Sequence, residues 1–156
     1  MIGRFSLVAA LLLGGCATAL PGQGALSPVA AVAGLPLGEA EAVRLQSGQC
    51  ALALWTLGSP ATRIAIALSQ PAALRVSLDG RSVDLARSDY DGDPAFGHYP
   101  RQTWSGQGVA LTLITNFSTR EGMVGGAVAE DATLTYVGSD GAEIVIPVSG
   151  LVACQP

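Results

Sequence analysis

From residue 50 onward, short apolar runs alternate with turns rich in glycine, aspartate and serine, a spacing that predicts strands. Residues 50–57 (CALALWTL) and 62–68 (TRIAIAL) are two such runs, separated by Gly58-Ser59-Pro60. Residues 73–78 and 82–86 flank Asp79-Gly80, a pair suited to a type I′ turn because both central positions need positive φ. In this hairpin Val76, Leu78, Val83 and Leu85 alternate with Arg75, Ser77, Arg81 and Asp84, which predicts one buried and one wet face. Residues 102–104 and 109–115 form a further pair around Gly106-Gln107-Gly108. Residues 132–137 and 142–148 flank Gly138-Ser139-Asp140-Gly141, with Leu134, Tyr136, Ile144 and Ile146 pointing one way. Regular turns without sustained 3.6-residue periodicity predict an all-β fold, a single antiparallel sandwich or small barrel. Residues 39–46 (EAEAVRLQ) read equally as one or two helical turns or as an edge strand.

The N-terminal pattern is different. Arg4 is followed by an apolar run over residues 5–13, then by Gly14, Gly15 and Cys16, the layout of a secretory signal peptide. The run is too short for a transmembrane helix, which needs about 20 apolar residues. Residues 17–38 carry no charged side chain before Glu39, no periodicity, and the breakers Pro21, Pro28 and Pro36, so they read as a tether. As a flexible coil, a tether of that length spans about 25 Å, enough to clear lipid headgroups. The chain therefore divides into a signal peptide at 1–15, a tether at 16–38 and an antiparallel β domain at 39–156.

The run Leu13-Gly14-Gly15-Cys16 resembles the lipobox of bacterial lipoproteins. The resemblance implies cleavage before Cys16, acylation of that cysteine and durable anchoring in a membrane. Ala17, where an aspartate would imply retention in the inner membrane, favours the outer membrane and its periplasmic face. Of the three cysteines, Cys16 goes to the anchor and leaves Cys50 and Cys154, an even pair in a disulfide-permitting compartment. A bridge between them would staple the folded region end to end, closing a loop of about 100 residues with a chain-entropy ceiling of about 4–5 kcal/mol.

Composition narrows the partners. The chain has 156 residues with 8 basic and 12 acidic side chains, a net charge of −4, and 49% hydrophobic residues. Every basic residue is arginine, and no lysine occurs. A chain with a pI near 4.7 lacks the clustered positive charge that nucleic acid requires. The mean hydropathy of +0.44 is inflated by the signal peptide and the uncharged tether. Removal of Arg4 with the signal peptide takes the balance to seven arginines against twelve acids, a net of −5.

Chemistry-bearing residues gather in one stretch. His98 is the sole histidine, no G-x-S-x-G nucleophile elbow is present, and Gly122-Met123-Val124-Gly125-Gly126 lacks the lysine of a phosphate loop. Alternating carboxylates in Ser88-Asp89-Tyr90-Asp91-Gly92-Asp93-Pro94 suit a hard cation in principle. Pro94 and Pro100, however, stand where an EF-hand has its turn glycine and bidentate glutamate, so the stretch reads as a solvated loop without metal. The same stretch holds Tyr90, Phe96, Tyr99 and Trp104, and aromatics in a long loop commonly form a recognition surface. We therefore expect a binding loop over 88–104 built on Ser88, Asp89, Tyr90, Asp91, Asp93, His98, Tyr99 and Trp104. No catalytic residue, metal or cofactor is assigned.

The run Trp104-Ser105-Gly106-Gln107-Gly108-Val109-Ala110-Leu111 resembles, together with the lipobox and the stapled β domain, the membrane-bound inhibitors of C-type lysozyme. The resemblance covers residues 75–113. It implies that Ser88, Gly92 and Tyr99 form one loop entering the lysozyme cleft, and Trp104 with Gly106 a second; the lysine of that family has no counterpart here. The expected function is that of a non-enzymatic, periplasm-facing outer-membrane lipoprotein with a binding or structural role. It would hold the membrane through Cys16 and meet an envelope protein, with inhibition of lysozyme or another envelope hydrolase as the alternative.

Overall fold

A computed structural model of the protein describes residues 34–156. The proposed signal peptide, Cys16 and nearly all of the tether lie outside the described residues. The fold is all-β, with nine strands in chain order: β1 Leu37–Gly38, β2 Cys50–Thr56, β3 Arg63–Leu68, β4 Ala73–Leu78, β5 Arg81–Asp91, β6 Arg101–Gly106, β7 Val109–Ser118, β8 Gly126–Val137 and β9 Glu143–Cys154. Strands β2 to β9 each pair antiparallel with the next, and β9 returns to β2. The result is a closed eight-stranded up-and-down barrel, so of the two expected architectures the chain adopts the barrel.

Alternation explains the inside. Along β9, Ile146, Val148, Gly150 and Val152 are buried while Val145, Pro147, Ser149 and Leu151 are exposed. Leu134 pairs with Ile146, and Tyr136 with Ile144, so these four side chains share the inner face as their spacing predicts. Val76 opposes Val83 inside, while Arg75 opposes Asp84 outside and grips it with two 2.7 Å bonds. At the connecting turn Asp79 and Gly80 have φ of 50° and 73°, the left-handed pair a two-residue hairpin requires. A mainly apolar interior with ion pairs outside is the reverse of an outer-membrane barrel, which turns its apolar residues to lipid.

Closure depends on small side chains at the wall. Ala65, Ala67, Ala127, Ala129 and Ala132 line the interior beside Leu52, Leu54, Leu111, Leu113 and Leu134. Gly150 is crowded on three sides: a Cβ there would lie 2.8 Å from Ala129, 2.9 Å from Leu54 and 3.0 Å from Leu52. A side chain at that position would therefore crowd the seam where β9 meets β2. The closing pair runs in register from Cys50 opposite Cys154 to Thr56 opposite Val148. The Cys50–Cys154 disulfide, with a sequence separation of 104, ties the first barrel strand to the last. Register shifts in β5, β7 and β8 mark bulges, which add twist and help a sheet curl shut.

Several boundaries differ from the sequence expectation. Strand β1 lies inside the region expected to be tether: Leu37 is fully buried and pairs with Leu78, so the fold starts before residue 39. Strands β5, β8 and β9 are longer than expected, because residues 87–91, 126–131 and 149–154 contain polar or small residues but find backbone partners on the neighbouring strands. Residues 39–46 form neither helix nor strand. They run along the outside, where Ala40, Val43 and Leu45 cover Ala51, Ala53, Ile66 and Leu68. That cover explains why β3 is apolar on both faces.

Candidate functional site

The stretch expected as a long binding loop is for the most part a hairpin. Ser88, Asp89, Tyr90 and Asp91 belong to β5, Trp104 belongs to β6, and only residues 92–100 connect the two. The connection carries its own small turn: Ala95 and His98 exchange backbone bonds of 2.8 and 3.0 Å around Phe96-Gly97, whose φ angles are 54° and 80°. Gly97 sits against the β3–β4 connection, where an added Cβ would meet the Ser69 Cβ at 2.9 Å. Ser69 in turn receives the Cys50 amide on its hydroxyl at 3.1 Å. The loop thus folds over the barrel end that holds the disulfide.

Folding the loop down separates the predicted residues into two sets. His98 is fully buried, and Trp104 is 1% exposed inside the barrel. Neither presents a contact surface, which corrects their place in the expected binding set: the β5–β6 register places Trp104 opposite Arg87 and turns it inward, and the Ala95–His98 turn buries His98. Gln102, which the sequence reading did not single out, is likewise fully buried. The ring nitrogens of His98 and the amide atoms of Gln102 have no hydrogen-bond partner among the described residues. Burial, and secondarily the charge of Arg87, lowers the His98 pKa from 6.5 to about 4. The Cys50 backbone opposes that shift, though its geometry falls short of a hydrogen bond to either ring nitrogen.

The second set stays outside. Tyr90 is 55% and Phe96 38% exposed. Tyr90 and Tyr99 pack with ring centroids 4.4 Å apart. The Arg87 guanidinium stands 5.1 Å from the Tyr90 centroid and 4.9 Å from that of Tyr99, and donates a 3.1 Å bond to the Gly97 carbonyl. One arginine so fixes two aromatic rings and the loop tip at once. Asp89 receives a 2.7 Å bond from Arg101, which holds its carboxyl below the ordinary range. Asp91 and Asp93 are exposed at the end of β5 and the start of the loop. Ser88 donates to the Thr103 carbonyl at 3.3 Å. Arg87 was missed by the sequence reading; a lone arginine in a strand shows no sign of the rings it will meet. Among the described residues no three His, Cys, Asp or Glu side chains gather as a metal-binding group.

The arrangement is an ordered cluster of aromatic rings and a guanidinium at the barrel end. Two tyrosines, an arginine and a phenylalanine are the residue types that anchor protein interfaces, and their order here precedes any partner. Comparison of the chain with protein-family models, curated proteins and solved structures finds no match.

Proposed function

We propose that this protein is a lipid-anchored binding protein of the bacterial outer membrane, facing the periplasm and meeting an envelope protein through Tyr90, Phe96, Tyr99 and Arg87. The observation that carries the reading is the Arg87 guanidinium stacked on both tyrosines at an exposed barrel end. The lipobox-like Leu13-Gly14-Gly15-Cys16 supports the anchor. Polarity of the fold supports the orientation. The chain enters the barrel at β1, beside the Asp79-Gly80 turn, whereas the hairpin loop lies at the opposite end. A protein tethered from Cys16 would hold that loop away from the lipid surface. A second reading, inhibition of lysozyme or another envelope hydrolase, is favoured by the carboxylates Asp89, Asp91 and Asp93 beside the aromatic surface, which suit a cationic cleft.

The absence of lysine makes amine-reactive crosslinkers blind to the side chains of this protein. The test is therefore a photo-crosslinking residue placed at Tyr90 in intact envelopes, with Val145, 57% exposed on β9, as the control position. A discrete adduct from position 90 and none from 145 is expected, and Arg87→Ala should reduce its yield. Equal yields from the two positions would refute the hairpin surface. Addition of the purified chain to lysozyme at micromolar excess separates the second reading: unchanged lysozyme activity removes it.

A further inference from the structure

Among the described residues the barrel end away from the hairpin holds a partly open cavity, and it is built differently. There Pro36, Leu78, Val83, Val109 and Tyr136 line a cavity of about 290 Å³, with Asp79, Arg81, Gln107 and Ser139 around it. Small-molecule sites begin near about 300 Å³ and favour the mouths of β-barrels. Leu85 and Leu111, fully or almost fully buried, continue the packed core beneath. The site is a shallow cup with room for one small molecule.

The rim charges define what fits. Arg81, like Arg44, Arg63 and Arg87, makes no ion pair among the described residues, and of these four it alone lines the cavity. Asp79, on the other side of Gly80, is likewise unpaired, including with Arg81 two residues away. One positive and one negative group therefore face the same cup without neutralising each other. A bare anion would meet the negative field of Asp79 together with Asp140 and Glu143 at the same end; a bare cation would leave Arg81 uncompensated. A ligand that carries both charges satisfies both groups. Its apolar part would rest on Leu78, Val83, Val109 and the ring of Tyr136.

We propose that the open mouth of the barrel binds a small amphipathic zwitterion, with its anionic group at Arg81, its ammonium at Asp79 and its aliphatic or aromatic body in the cup. Two sources share that chemistry: a free apolar amino acid and an ethanolamine phospholipid. This site is separate from the hairpin at the other end and does not depend on it.

The test uses the full chain carrying Cys16→Ser, so that no acyl chain competes, and follows backbone amide shifts by NMR. Leucine and phenylalanine represent the first source, and monomeric dihexanoyl phosphatidylethanolamine the second. Saturable shifts at Gly80, Gln107 and Ser139, with residues 90–99 unmoved, are expected from one of them, and the one that binds identifies the source. Hexanoate and hexylamine, each with one charge, should bind at least about tenfold more weakly, as should the zwitterion to Arg81→Gln or Asp79→Asn. Asparagine tolerates the positive φ of position 79, so that variant keeps the turn and its unchanged melting temperature confirms the fold. No shift at millimolar probe overturns the proposal. Equal binding of hexanoate or hexylamine overturns it too.

Discussion

His98 should make this protein acid-sensitive in a pH window of its own. The side chain is fully buried beneath the 92–100 loop, and its pKa falls from 6.5 to about 4 because the charged ring would lose its water. The unfolded chain therefore binds a proton in the range where the folded chain does not. The contribution is complete above pH 6.5, is lost as pH falls towards 4, and levels off below that value. Each tenfold change in proton affinity is worth about 1.4 kcal/mol, which sets a ceiling of about 3 kcal/mol over the window. His98 is the sole histidine, and the carboxylates Asp84 and Asp89 are held below their ordinary range by Arg75 and Arg101, so the difference between wild type and a His98 variant isolates the ring. Urea unfolding followed by tryptophan fluorescence, at steps between pH 7 and 4.5, measures it directly, since Trp104 is buried. Unfolding free energy should fall with a limiting slope of about 1.4 kcal/mol per pH unit near pH 5, and His98→Gln should flatten that slope whatever its stability at pH 7. A wild-type profile as flat as the variant's would refute the claim that the ring is buried and neutral.

Reduction of Cys50–Cys154, or its replacement by two serines, should cost up to about 4–5 kcal/mol by the loop-entropy estimate, read as a lower urea midpoint. An unchanged midpoint would mean that β2–β9 pairing holds the unfolded chain ends without the bridge. Gly150→Ala should destabilise by about 1–3 kcal/mol, because its methyl enters the space of Ala129, Leu54 and Leu52; a neutral effect in thermal melts would show that the closing strands can part. Cys16→Ala should abolish palmitate labelling of the chain in cells, and persistent labelling would contradict the anchor.

Strand identity was legible because each hairpin writes its face in alternation and its turn in left-handed residues. Asp79-Gly80 and the Val76–Val83 and Tyr136–Ile144 pairs are where that reading lands directly. Exposure within the proposed binding stretch was only partly legible: Tyr90 and Phe96 are exposed, while Trp104 and His98 are buried. Facing direction near a bulge cannot be counted along the chain. The register shift between Arg87 and Asp89 breaks the period of two, and that shift puts Arg87 and Tyr90 on one side.

The sequence by itself determined the all-β character, most of the strand cores, and a cysteine pair bracketing the fold. These follow from local periodicity and turn chemistry, which act over a few residues. Whether the strands stack as two sheets or close on themselves depends on contacts between residues about 100 positions apart, as in the β2–β9 register. The same inward and outward alternation serves both outcomes. Size at the seam favours closure: glycine at 150 leaves room for Leu52 and Leu54 of the first barrel strand, and only the closed barrel brings those positions together. The extra lengths of β8 and β9, the outer cover by residues 39–46, the burial of His98 and the two unlike ends of the barrel all follow from that closure.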